Sequence, residues 1–294
     1  MVTALITGAS SGLGAEYARQ LAARGADLVL VARDLEALDA VAGAIRACHR
    51  VKVEVVSADL AVSDEVDRVA ARLTAADAPV ELLVNNAGFG LPLDFAANDV
   101  AREVDHLRVH VEAPLRLSHA ALEGMLARGH GRIVNVASVA AYLPRSTYGA
   151  CKRWLVDFSR WANAAYAARG VTVTAVCPGF THTGFHERMG LAPGREGVPG
   201  WMWLDAREVV TASLRAAAKG RGVSIPSLRY QALARVAALL PASLGASTRA
   251  TLAALRCRSS PTCARATAHR SPPTRRWRPC HGLRPRGRFR PPPP

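Results

Sequence analysis

Short apolar runs recur along this chain at 2–6, 27–32, 51–56, 80–84, 132–137, 171–176 and 222–225. They are nearly continuous rather than alternating, which suits strands buried on both faces. Between them lie Ala-, Leu- and Arg-rich stretches of helical length, predicting helices near 12–24, 34–48, 62–76, 98–128 (with a break), 146–168 and 205–219. Asp34, Ser63 and Asp205 stand where N-caps belong. Regular strand–helix alternation predicts an α/β fold: a doubly wound parallel sheet with helices on both faces and right-handed crossovers.

Two stretches break the rhythm. Residues 184–204 run through a Gly- and Pro-rich segment into Trp201-Met202-Trp203-Leu204, which predicts a lid over a ligand. Residues 228–255 form an Ala- and Leu-rich helical extension with Arg229, Arg235 and Arg249; packing on the domain is the expected role, and peripheral membrane contact the weaker alternative. The expected organisation is a single domain over 1–227, the extension over 228–255, and a tail over 256–294.

Charge sharpens that division. The formal net charge is +15, yet the last acidic residue is Glu208, and up to that point 23 acidic residues face 21 basic ones. The tail holds eleven Arg, nine Pro and no acid, too little apolar surface to build a core, so it is expected to be disordered. It reads as a neutral extension or a shifted reading frame in GC-rich DNA; an RNA-binding tail is the minor reading, and no nucleic-acid partner is expected for the domain. Cys48, Cys151 and Cys177 fall within α/β elements and are expected to be buried free thiols, in keeping with a reducing cytoplasm. The chain opens directly into an apolar strand with no basic leader before it, and no uncharged run is long enough to span a bilayer.

Candidate chemistry begins at the first strand end. Thr7-Gly8-Ala9-Ser10-Ser11-Gly12-Leu13-Gly14 places glycines where a tight turn and close packing lead into a helix, whose N-terminus favours a pyrophosphate. At the end of the second strand, Leu30-Val31-Ala32-Arg33-Asp34 offers a guanidinium where an acid would bind a ribose diol. That arrangement favours the 2′-phosphate of NADP(H) and leaves NAD(H) open. Further on, Tyr148 and Lys152 stand four apart, on one face of a predicted helix. A cation beside a phenol is expected to make it an acid and base usable nearer neutral pH.

Together with Asp59-Leu60, Asn85-Asn86-Ala87-Gly88, Ser138 and Pro178-Gly179 followed by Thr183, these motifs make residues 1–230 resemble the short-chain dehydrogenase/reductase family. The resemblance implies a Rossmann fold of seven strands in the order 3-2-1-4-5-6-7. It implies a nicotinamide cofactor against Thr7, Gly8, Ser10, Ser11, Gly12, Leu13, Gly14, Arg33, Asp59, Leu60, Asn86, Ala87, Gly88, Tyr148, Lys152, Pro178, Gly179, Thr181 and Thr183, with Asn85 steadying the sheet and no metal. Ser138 would orient a substrate oxygen, Tyr148 would exchange a proton with it, and Lys152 would bond the ribose and bias the Tyr. Two departures stand out. Ser138 and Tyr148 are closer in sequence than the family's usual spacing, with Tyr142 as an alternative acid. His110 occupies the place of a relay Asn, where it could titrate near neutral pH and carry the proton itself; the alternative is a core histidine bonded to a backbone carbonyl, with the relay lost or rerouted. The implied activity is interconversion of a carbonyl and a secondary alcohol on an apolar small molecule, by a homo-dimer or tetramer. The alternative is a cofactor-binding regulatory or scaffold protein with little turnover.

Overall fold

The computed structural model describes residues 2–143, 145–183 and 198–239. Seven parallel strands form one sheet: β1 (Thr3–Thr7), β2 (Asp27–Ala32), β3 (Val53–Ser57), β4 (Leu82–Asn85), β5 (Gly131–Val136), β6 (Val171–Val176) and β7 (Val223–Ser224), in the order β3-β2-β1-β4-β5-β6-β7. The eight α-helices described are α1 (Gly12–Ala22), α2 (Leu35–Cys48), α3 (Ser63–Thr74), α4 (Val100–Leu107), α5 (Ala113–Arg128), α6 (Thr147–Tyr166), α7 (Ala206–Ala218) and α8 (Leu228–Leu239). The expected architecture is therefore present, and the expected break in 98–128 is a π-helical turn over Arg108–Glu112 that joins α4 to α5.

The apolar strands are explained by the two cores they separate. Ile6, Leu28, Leu30 and Val84 pack with Tyr17, Leu38, Ile45 and Val210 on one side of the sheet. Leu5, Val29, Val31 and Leu83 pack with Val66, Val69, Leu117 and Met125 on the other. Successive strand residues thus enter opposite cores, so neither face tolerates a polar alternation.

Capping follows the sequence with one correction. Asp34 accepts from the Ala37 N–H, and Asp205 accepts from the N–H groups of Arg207 and Glu208. Ser63 is the first residue of α3 rather than its cap, which is Val62. Its hydroxyl accepts from Arg116 of α5 at 2.9 Å, because Arg116 reaches across to bridge the two helices. A second correction concerns Cys48, which ends α2 and is exposed, whereas Cys151 and Cys177 are buried and free as expected. The 184–197 part of the expected lid, residues 240–255 of the extension and the whole 256–294 tail lie outside the described residues. Among the described residues no helix is long and apolar enough to cross a membrane.

Candidate active site

The candidate residues converge at the carboxyl ends of the strands. At the end of β1 the Thr7 hydroxyl is buried and accepts from the N–H groups of Asn86 and Ala87, each at 3.0 Å. The Asn86 side chain returns the tie by donating to the carbonyls of Thr7 (2.9 Å) and Gly8 (3.2 Å). Thr7 and Asn86 therefore spend their side chains lacing the glycine turn to β4, and the N–H of Ala9 bonds the Val31 carbonyl of β2. Gly8 sits at φ 65°, and a Cβ on Gly14 would run into the Gly8 carbonyl, so the turn closes tightly only without side chains there. Asn85 donates to Ser118 and to Asn135, steadying the sheet as the resemblance implied.

The first turn of α1 carries no acidic residue, unlike those of α2, α3, α4 and α7. Its positive dipole end is thus left for an anion, which is the fit a pyrophosphate needs. Thr183 lies beside this turn: a Cβ on Gly12 would be 3.3 Å from that of Thr183. Thr181 is different, being buried with its hydroxyl donated to the Gly179 carbonyl. Leu60 buries its side chain in the core, leaving only backbone for a ligand. At the β2 end, Arg33 is well exposed, with one guanidinium nitrogen 3.6 Å from the Asp59 carboxylate. An exposed pair of this kind is worth about 0–1 kcal/mol, so the guanidinium can turn to a phosphate at little cost.

Ser138 follows β5 and caps a 3₁₀ turn over Val139–Tyr142, its hydroxyl accepting from the Ala140 N–H at 3.1 Å. That turn takes up the short connection to Tyr148, in the first turn of α6, whose cap is Ser146. Gly149 makes the fit possible. A Cβ there would stand 2.9 Å from the Leu143 carbonyl oxygen and 3.0 Å from that of Ala140. The Ser138 hydroxyl beside Tyr148 favours the phenolate, but burial outweighs it and pushes the phenol up to about 12. Lys152 is buried, donates to the Val136 carbonyl at 2.7 Å, and has its ammonium 5.6 Å from the centre of the Tyr148 ring. Burial lowers it to about 8. The expectation of a phenol drawn toward neutral pH by its lysine is therefore corrected: before any ligand enters, desolvation dominates and Tyr148 is a neutral acid. Tyr142, the alternative acid, turns its hydroxyl to Cys177, 4.0 Å away, and burial pushes it up to about 12.

Behind this pair stands a histidine cluster that the sequence reading caught only in part. His110 sits in the π-helical turn, wholly buried, against Gly88. Its Nε2 lies 3.1 Å from the Phe89 nitrogen and 2.8 Å from the Phe89 oxygen. Desolvation first, then the charge of Lys152, hold it well below the ordinary histidine value. Burial thus disfavours a titrating relay near neutral pH, and the contact with the Phe89 carbonyl fits the alternative of a core histidine bonded to the backbone. His106, four residues earlier and on the same helix face, is also buried, its ring 4.3 Å from that of His110. Burial pushes it down to about 4, and its Nδ1 faces the Cys151 thiol at 3.8 Å. The spacing of the two histidines was visible in the sequence; their joint burial was not. No cluster of metal-ligating side chains occurs among the described residues.

The last wall is formed by the run after β6. The Pro178 carbonyl accepts from the Val139 N–H at 3.0 Å, tying this run to the residue after Ser138. Beyond it, Thr181 and Leu204 pair as a parallel bridge, and the Trp203 ring stacks on His182 at 4.8 Å.

Comparison with known proteins agrees with this geometry. The model of the short chain dehydrogenase family matches residues 2–192. The chain belongs to the short-chain dehydrogenase family. It is 33% identical over 188 residues to a very-long-chain 3-oxoacyl-CoA reductase of Anas platyrhynchos, a match covering 61% of this chain and 60% of the relative. It thus spans less than two thirds of that relative's length. A short-chain dehydrogenase from Sphingobium yanoikuyae in complex with NADPH superposes with a TM-score of 0.74 at 36% identity, covering 79% of this chain and 92% of the other. A bulky-bulky ketone specific alcohol dehydrogenase from Comamonas testosteroni superposes at 0.70 with 32% identity, covering 80% and 92%. Within the family's fold, α7, β7 and α8 lie beyond the stretch matched by the family model.

Proposed function

We propose that this short-chain dehydrogenase is an NADP(H)-dependent oxidoreductase interconverting a carbonyl and a secondary alcohol on an apolar small molecule. The observation that carries the reading is Tyr148 beside Ser138 with buried Lys152 four residues on, next to a glycine turn whose helix end carries no acidic residue. NADP(H), held by the 8–14 turn, Arg33, Asp59, the backbone of 86–88, Lys152 and Thr183, supplies hydride chemistry when bound. The protein's residues do the rest. Ser138 holds the substrate oxygen, and Tyr148 delivers a proton to it. A phenol held near 12 keeps its proton at working pH values and can donate it to a carbonyl oxygen. Lys152 below about pH 8 supplies the positive charge that steadies the phenolate left behind. His110, neutral, holds the Phe89 backbone and backs Gly88 as a positioning residue. Phe180, Met202 and Trp203, all beside the run after β6, suit an apolar substrate. The reading extends to a homo-oligomer, since α4, α5 and α6 expose Leu107, Leu115 and Trp161; a single-chain mass in solution would exclude it.

The direct test is NADPH oxidation with a panel of apolar ketones. Turnover is expected, and Tyr148→Phe should lower kcat by about a thousandfold with NADPH affinity changed little. Tight NADPH binding with no turnover on any ketone would sink the reading.

A further inference from the structure

We propose that Tyr230, on α8, is a positioning residue that sets substrate affinity by pinning the wall beside the catalytic serine. The inference rests on the oxidoreductase reading for its substrate, but its geometry is independent of that reading.

Tyr230 lies far from every family motif in sequence and is 3% exposed. Its hydroxyl is used in both directions. It accepts from the Phe180 N–H at 3.1 Å and donates to the Met202 carbonyl at 2.9 Å. Those two residues belong to the two chain runs that meet at the Thr181–Leu204 bridge. The same runs are joined by Leu204 N–H to the Phe180 carbonyl (2.8 Å) and His182 N–H to the Leu204 carbonyl (3.0 Å). One phenol thus locks both runs beside the bridge that joins them.

The ring matters as well as the hydroxyl. It lies on the backbone of Gly179, where any Cβ would run into it. It shares an apolar cluster with Leu204 and Val209, against which Leu13 of the glycine turn, Val139 beside Ser138, Phe180 and Met202 pack. Tyr230 therefore touches what positions the catalytic serine and what lines the substrate side, without reaching a reacting atom. A buried hydroxyl that is fully bonded fixes its partners strongly, because an N–H and a carbonyl left unpaired there would be costly.

The test is Tyr230→Phe, which keeps the ring on Gly179 and removes only the hydroxyl. Amide exchange is read at Phe180 and His182 alongside steady-state kinetics with NADPH and an apolar ketone. Exchange at both amides should quicken by about tenfold, and KM for the ketone should rise by about tenfold with a much smaller fall in kcat. Unchanged exchange overturns the proposal, whatever the kinetics. Faster exchange with an unchanged KM, or a loss confined to kcat, also overturns it, since the wall would then be loosened without consequence for substrate. If the wild type turns over no ketone, the functional reading fails, while the exchange measurement still upholds or overturns the pinning.

Discussion

The ammonium of Lys152 and the carbonyl oxygen of Val136 are 2.7 Å apart in a buried bond, so the strand that delivers Ser138 also seats the lysine. Burial lowers Lys152 from 10.5 to about 8. The ammonium is present below about pH 8 and lost above it. Ketone reduction should therefore decline as pH rises through about 8, and Lys152→Met should be slower by at least about a hundredfold with that decline removed. Linkage gives a second readout. Between about pH 8 and 10.5 the unfolded chain binds the proton that folded Lys152 has lost, so this residue's contribution makes stability rise with pH across that window. Burial of Tyr148 and Cys177 acts in the opposite direction, so the quantity to measure is the difference between wild type and Lys152→Met by denaturant unfolding at pH 7.5 and pH 10. A difference independent of pH would contradict the burial of the charge.

His110 is wholly buried and held neutral, so no inflection from it is expected between about pH 6 and 7.5 in the rate profile. His110→Ala leaves the Phe89 backbone without its ring partner and should cost about 1–3 kcal/mol of stability. A profile with a neutral-range inflection that vanishes in His110→Asn would restore a titrating relay.

Gly149 is helical, and alanine there would ordinarily stabilise a helix by about 1 kcal/mol. Here the Cβ would press on the Leu143 and Ala140 carbonyls at 2.9 and 3.0 Å. Gly149→Ala is expected to destabilise by about 1–3 kcal/mol and to lower kcat, because the 3₁₀ turn that follows Ser138 must move. A raised melting temperature with full activity would show that the turn has room to give.

Arg33→Ser should weaken NADPH binding by about tenfold or more and leave NADH binding nearly unchanged, as read by fluorescence titration with each cofactor. Equal losses for both would assign Arg33 a structural role with Asp59.

Whereas the strand order followed only from the resemblance to the family, the two buried sheet faces and the glycine turn were legible because each rests on local periodicity or on glycines at fixed offsets. The Tyr148–Lys152 pair was legible for the same reason: a helix brings positions four apart together wherever it is built. Ser63 was misassigned because a cap and a first-turn residue look alike until Arg116, distant in sequence, claims the hydroxyl.

By itself the sequence determined which residue types stand at the strand ends and on one helix face, since covalent spacing carries that much. Only the tertiary structure decided their protonation and their neighbours. Burial of Tyr148, Lys152 and His110 is a property of everything packed around them, and desolvation overrode the charge pairing that local spacing suggested. Likewise Tyr230 could join the site only through the fold, because a hydroxyl bonding two chain runs, one of them 50 residues away, leaves no local pattern to read.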